Sequence, residues 1–337
     1  MTPRPISVLL LAAGSPGDYA FILGLKRSRK YAVTLHAADC DRMKGNLYLP
    51  PVDHAYLLPP CDAPGYEAAL LSLVERTRAD VLASDLDEEL PALSALALRL
   101  ESMNCRVFLP RRFPLEVCLD KYRTYERLHG HVCQPTTVLG DAGDPECGRY
   151  ILDHYGKAMI KPRFLRGGRG VVLIGDGEAL AFHRKRQKKP FIVQQYLPGL
   201  EYNVSICHGP DGGLIYCAER LKLDSRLVKS NTVAAQVVRN PIVREAALAA
   251  VNDLELARGF NNVEIIVSEG YPYVIDVNGA RWAGQDMNIL ESGVNFAEMY
   301  LDLAMGEPVA PVEVPIGAIS LKIKMDLVVR EEELAAV

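Results

Sequence analysis

The sequence predicts a parallel α/β domain followed by a mixed α+β region. Three observations predict it. The chain opens on a continuous apolar run, Ile6–Ala13, as a parallel strand covered on both faces requires. Short strand-like runs then alternate with helical periodicities as far as residue 109, the pattern of a Rossmann-type sheet. Farther on, strand runs follow one another around Gly/Pro turns, most plainly in 261–284, NNVEIIVSEGYPYVIDVNGARWAG.

The first region reads in order. Gly14-Ser-Pro-Gly17 is a turn, Ala20–Lys30 a helix, and Tyr31–Ala37 a second strand ending near Asp39. Tyr66–Arg78 has helical spacing, and Val81–Ala83 is a short strand that stops at Ser84-Asp-Leu-Asp-Glu-Glu89. Leu90–Met103 is a helix and Arg106–Leu109 a strand. Ligands of such sheets sit beyond the carboxyl ends of the strands, where 14–18 and 85–89 fall. Neither stretch carries Gly-x-Gly-x-x-Gly, and the chain has no P-loop.

A second unit begins near Arg111. Pro114–His129 reads as one helix with Asp120-Lys121 in its middle. Ala158–Lys161 is a strand ending on lysine, followed by a loop with Gly167, Gly168, Arg169 and Gly170 and the strand Val171–Ile174. Glycines there let backbone N–H groups approach phosphate oxygens, with Lys161 and Arg169 adding charge. Phe191–Tyr196 is a strand leading to Leu-Pro-Gly-Leu-Glu201. Tyr202–His208 and Leu214–Leu221 form a hairpin whose second strand puts Arg220 and Lys222 on one face, as anion binders. Ser230-Asn231-Thr232 is polar, Pro241–Leu256 and Phe296–Met305 are helices, and Ile316–Met325 is strand-like.

In the 261–284 hairpin, a turn centred on Gly270 sets Glu264 opposite Asp276, with Asn278 on the same face. The other face collects Val263, Ile265, Val267, Tyr273, Ile275 and Val277, as a core would. Cross-strand partners lie roughly 4.5–5.5 Å apart, and like charges so placed repel. The pair therefore needs a cation, and this oxygen set suits Mg²⁺. Without metal, neutralising either carboxylate should leave stability unchanged or slightly raised.

Composition bounds the rest. At 337 residues the chain holds two or three domains, and 49% hydrophobic with 24% charged residues is a soluble globular profile. A net charge of −4 gives no footprint for nucleic acid. The basic cluster 183–189 reads as a solvated loop or helix end. Eight scattered cysteines without Cys-x-x-Cys suit reduced thiols in a cytoplasm, and the first apolar run is too short to span a membrane. The histidines show no metal spacing, and Trp282 reads as packing.

Taken in order, these motifs are a helix lysine, a strand-end lysine before a glycine loop, a polar hinge, a Glu seven residues on, and an acidic hairpin. This set resembles the ATP-grasp superfamily over residues 6–305. The opening VLLLAAGSPGDYAFILGLKR and the stretch SDLDEELPAL look like the short relatives of the carbamoyl phosphate synthase large chain and the pyrrolysine-biosynthesis ligase. The resemblance implies a pre-ATP-grasp α/β domain at 1–111, a small lobe at 112–195 and a large lobe at 196–337. It implies ATP with Mg²⁺, or Mn²⁺ in its place. Lys121 and Lys161 would contact phosphates under the loop of Gly167, Gly168, Arg169 and Gly170. Gln194, Gln195, Tyr196 and Leu197 would hold adenine, and Glu201 the ribose. Glu264, Asp276 and Asn278 would hold the metal, and Arg281 would stabilise the transferring group. The chain departs from the family where a hinge Glu is Gln194, a metal Glu is Asp276, and Arg281 stands one residue late. The implied activity is carboxylate–amine ligation through an acyl phosphate, on small-molecule partners and without nucleic acid or membrane. Homodimers are common for such folds. The alternatives are phosphorylation of a carbamate or carboxylate without amide formation, and a non-catalytic ATP-binding module. Selectivity is expected in the first strand-end loops and in 220–232.

Overall fold

The computed structural model describes residues 2–165, 167–223, 232–323 and 326–335. The first unit runs β1 (Arg4–Leu10), α1 (Asp18–Lys26), β2 (Tyr31–Asp39), β3 (His54–Leu57), α2 (Tyr66–Thr77), β4 (Val81–Ala83) and α3 (Leu90–Ser102). Its strands form a parallel sheet in the order β3-β2-β1-β4. The apolar opening run has its reason here: β1 is central, and Val8, Leu9 and Leu10 are fully buried between helices. The carboxyl ends of β1, β2 and β4 deliver 11–17, Asp39 and 84–89 to one edge. The stretch expected as a strand at Arg106–Leu109 pairs only through a single Val81–Arg106 bridge. The Leu109 carbonyl accepts instead from Arg258 Nε at 3.1 Å.

The expected helix Pro114–His129 is two helices, α4 (Arg112–Cys118) and α5 (Lys121–Leu128). Asp120 breaks it. Its carboxylate caps α5 by accepting from the backbone N–H groups of Tyr122 and Arg123. The same carboxylate takes two bonds from Arg163, at 2.5 and 2.6 Å. Lys121 therefore starts a helix rather than sitting mid-helix. Then come β5 (Thr137–Leu139), α6 (Arg149–Tyr155), β6 (Ala158–Pro162), β7 (Val172–Ile174), α7 (Gly177–Lys185) and β8 (Phe191–Gln195). These strands pair antiparallel in the order β5-β8-β6-β7. The basic cluster begins in the last turn of α7, where cations suit the helix end.

The remaining elements are β9 (Leu200–His208), β10 (Leu214–Lys222), β11 (Ala234–Val238), α8 (Pro241–Asp253), β12 (Gly259–Ser268), β13 (Tyr271–Gly279), α9 (Met287–Glu291), α10 (Phe296–Met305), β14 (Ile319–Leu321) and α11 (Glu331–Ala335). Six strands form one antiparallel sheet, β13-β12-β9-β10-β11-β14. Ser230 and Asn231 lie outside the described residues, as do the middle of the 220–232 segment and the end of the expected Ile316–Met325 strand. Trp282, following β13, stacks on Phe21 of α1 at 4.1 Å, and Tyr300 of α10 meets Phe21 edge-on. One aromatic core thus ties the six-stranded sheet to the first unit. Among the described residues no helix is long and apolar enough to cross a membrane. All eight cysteines are unpaired.

The β12–β13 hairpin turns on Glu269-Gly270, both at positive φ (52° and 85°), as a two-residue type I′ turn demands. That turn alone would set Glu264 opposite Ile275. A bulge between Glu264 and Ile265 shifts the register by one, so that Glu264 does face Asp276. The bulge also reassigns the apolar face. Val274, with Val263, Ile265 and Val277, enters the core, whereas Ile275 turns to the cavity described below and Tyr273 stays half-buried.

Candidate active site

A cavity of about 990 Å³ lies where the three sheets meet. Its floor is one face of the six-stranded sheet, and cross-strand register orders it in rows. One row runs Asp276, Glu264, Asn203, Arg220 across β13, β12, β9 and β10. Toward the hinge that follows β8, Ile266 pairs with Glu201, whose side chain accepts from Lys222. Toward the first unit the row is Asn278, Asn262 and Ser205. The hinge packs tightly on the hairpin: a Cβ on Gly199 would lie 2.2 Å from the Val267 carbonyl oxygen.

The cation that the carboxylate pair demands is supplied here by lysines. Lys121 Nζ lies 3.0 and 3.1 Å from the two Asp276 oxygens. Burial pulls the Lys121 ammonium down, but Asp276 outweighs it and holds the group above its ordinary value. Lys222 hydrogen-bonds Glu201 and stands 3.6 Å from Glu264. Glu264 is pushed up by burial, against the pull of Lys222, with Glu201 and Asp276 adding to the rise. The expectation that neutralising either carboxylate leaves stability unchanged is therefore replaced: each loss strips a lysine of a partner.

The four-stranded sheet β5-β8-β6-β7 and the turn after β6 form the roof. Lys161, at the end of β6, has no ion-pair partner among the described residues, and burial lowers its ammonium. The turn after β6 holds Gly167, Gly168 and Gly170 at φ of 65°, 60° and 75°, a left-handed geometry costly for other residues. Gly167, Gly168 and Arg169 line the cavity, whereas Gly170 turns back on Pro162. Gln194, Gln195, Tyr196 and Leu197 line it beside the hinge. The Gln194 amide donates to Thr137 Oγ1 at 2.9 Å, which fixes its orientation.

The third wall comes from the strand ends of the first unit: 14–17, Asp39, Leu86 and Glu89. Arg281 reaches this wall because Ala280 adopts a left-handed φ of 59°, its N–H held by Asn261 Oδ1 at 3.2 Å. Arg281 pairs with Asp87 at 2.6 Å and with Asp85 at 4.0 Å. Burial works against its charge, but Asp87 and Asp85 outweigh it and hold the guanidinium above its ordinary value. Behind lies Asp18, fully buried and pushed well up by burial and by Asp85, with Trp282 Nε1 donating to it at 3.2 Å.

Of the residues singled out from sequence, all line the cavity except Gly170 and Arg220. Arg220 shares the floor's face but is fully buried there, donating to Asn203, Ser205 and Asp286. Sequence reasoning passed over Asn203, Asn262 and Asp286. Asn203 had a signal, since strand alternation puts it on the face of Glu201; Asp286 had none.

Among the described residues no three His, Cys, Asp or Glu side chains are grouped to hold a metal. The floor offers two carboxylates and amide oxygens. Asn262 Oδ1 is buried, lacks a hydrogen-bond donor, and belongs to a residue lining the cavity beside Asn278. That donor set suits a hard cation taking its other ligands from water and phosphate. The roof suits an anion.

Residues 118–284 match the family model described as the ATP-grasp domain. No curated protein sequence matches the chain. Its fold is similar to an L-amino acid ligase from Bacillus licheniformis (TM-score 0.69, 17% identity, 93% of this chain and 76% of that one). It is similar to N5-carboxyaminoimidazole synthetase from Staphylococcus aureus complexed with ADP (TM-score 0.72, 14% identity, 93% and 80%). It is also similar to the biotin carboxylase domain dimer of 2-oxoglutarate carboxylase from Hydrogenobacter thermophilus, in complex with MgADP, ADP and bicarbonate (TM-score 0.71, 17% identity, 93% and 74%). At these identities the structural likeness speaks for fold. Residues 118–284 thus match the ATP-grasp domain model, and the fold as a whole is similar to these structures over 93% of the chain.

Proposed function

We propose that the protein is an ATP-dependent carboxylate–amine ligase that activates a small carboxylate as its acyl phosphate. One observation carries the reading: a single cavity faces Lys161, which has no ion-pair partner among the described residues, and a glycine turn toward a floor bearing Glu264 and Asp276. ATP would lie with adenine against the backbone of Gln194–Leu197, ribose at Glu201 and phosphates beneath the glycine turn. Mg²⁺, or Mn²⁺, would be held by Glu264, Asp276 and Asn278, with the orphaned Asn262 oxygen beside them. A divalent ion there supplies charge neutralisation to the phosphates.

The chain's own residues do the rest by position and charge. Lys121 and Lys222 hold the carboxylates in check before nucleotide binds. Lys161 and Lys121 then balance phosphate charge, and Arg281, anchored at the first unit, faces the acid being phosphorylated. The amine displaces phosphate from the acyl phosphate, forming the C–N bond. The similarity in fold to an L-amino acid ligase and to a carboxyaminoimidazole synthetase supports this chemistry. The finer kinship, to short relatives of the carbamoyl phosphate synthase large chain and the pyrrolysine-biosynthesis ligase, rests on the opening stretch and on SDLDEELPAL. An acidic or amino-acid substrate fits the polar walls.

The test is ADP and phosphate release measured against a panel of amino acids and small carboxylates, with and without amines. Release that requires both acid and amine supports the ligase. Release with acid alone points to phosphorylation without amide formation, and nucleotide binding without turnover on any acid to a binding module.

A further inference from the structure

We propose that Asn203 is a catalytic residue whose side-chain N–H donates to an anionic oxygen at the phosphoryl-transfer centre, and that the buried Arg220–Asp286 pair is what aims it. The inference rests on the ligase reading above.

The aim follows from donor inventory. Arg220 Nη2 donates to Asn203 Oδ1. Arginine has no acceptor, so the amide oxygen must face Arg220 and the amide nitrogen must face away. Arg220 is in turn held. It is fully buried and pairs with Asp286, also fully buried. Asp286 accepts from Ser205 Oγ and from the Ala283 N–H, both at 2.8 Å. The guanidinium cannot rotate without stranding a buried carboxylate. Asn203 Nδ2 has no partner among the described residues and is not one of the buried orphan atoms, while Asn203 lines the cavity. The nitrogen therefore opens into the cavity as an unsatisfied donor.

Its place on the floor names the ligand. Asn203 pairs directly with Glu264, in the same row as Asp276. The hinge, with Gly199 packed on Ile266 and Val267, lies on one side of that row. Arg281 and the first unit lie on the other. A donor between them meets either the γ-phosphoryl group or the carboxylate that receives it, both anionic oxygens.

Asn203→Asp keeps the shape and the acceptor for Arg220, adds an ion pair with that buried guanidinium, and replaces the cavity-facing donor with an anion. The thermal midpoint should hold or rise. MgADP affinity should stay within about threefold of wild type, since ADP lacks the γ-phosphoryl group assigned to this donor. Affinity for a non-hydrolysable ATP analogue bearing a γ-phosphate should fall about 10- to 100-fold if the partner is the phosphoryl group. If the partner is the acid, that affinity holds and the KM for the acid rises by a like factor. Unchanged values for both, or equal loss of ADP and analogue, would overturn the assignment. Asn203→Ser, which also accepts from Arg220 but is too short to project a donor, carries the same test should the aspartate variant not fold. Failure of wild-type protein to bind either nucleotide would instead sink the ligase reading itself.

Discussion

The four-stranded sheet β5-β8-β6-β7 and the six-stranded sheet face one cavity with opposite electrostatic preparation. The four-stranded sheet offers Lys161, which has no ion-pair partner among the described residues, and burial works against its ammonium. The sheet offers Glu201, Glu264 and Asp276 already matched by Lys222 and Lys121. Deeper still, Arg220 and Asp286 form a pair with no exposure at all. The difference teaches where charge serves the fold and where it waits for a ligand. Paired, buried charges stabilise only together; an unpaired cation costs stability until an anion arrives.

Substitutions that break one partner at a time sharpen the comparison. Arg220→Ala should have the largest effect, because it leaves Asp286 buried and uncompensated; about 3–5 kcal/mol is expected. A large drop in the thermal midpoint checks it, and a drop of a degree or two would mean the pair does not organise the 280–286 segment. Asp276→Asn comes next. It strands Lys121, whose side chain is 18% exposed, and should cost about 1–3 kcal/mol. Turnover should fall as well, so stability and activity drop together. Glu264→Gln should cost less stability, since Lys222 keeps Glu201. Melts and acid-dependent ADP release on the same preparations separate the two effects.

Lys161→Met should reverse the pattern. Nucleotide affinity should fall about 10- to 100-fold, the worth of a charged hydrogen bond, while stability holds or rises by up to about 1 kcal/mol. The sign follows from linkage. The folded-state ammonium is depressed below its ordinary 10.5, so the unfolded chain binds the proton more tightly. The cost is full below the folded value and fades as pH rises toward 10.5. The gain from Lys161→Met should therefore shrink in alkaline melts, and a gain that grows with pH would contradict the placement. Smallest of all, Lys188→Ala on the exposed basic stretch should leave affinity unchanged and stability within about 0.5 kcal/mol. If it matched Lys161→Met in nucleotide affinity, net charge rather than position would be at work.

The order of lysine, glycine turn, hinge, Glu201 and acidic hairpin was legible in the sequence because each is a local pattern. A lysine closing a strand, glycines between strands and alternation along Val263–Val277 need no distant partner to be read. Parallel packing of the opening run was legible for the same reason. Tertiary structure decided what depends on residues far apart in the chain. The hairpin turn alone would have misaligned Glu264 and Asp276, and the bulge that restores them leaves no mark in the apolar pattern. Pro114–His129 reads as one helix until Asp120 finds both the α5 cap and Arg163. Arg220 and Lys222 share one face in sequence and in structure, yet Lys222 meets two glutamates at the cavity while Arg220 is sealed from it against Asp286. Arg281 meets Asp87 across 194 positions. Alternation and spacing fix the face a side chain takes within its own strand; which charge it finds there is set by the packing of sheets that no local window contains.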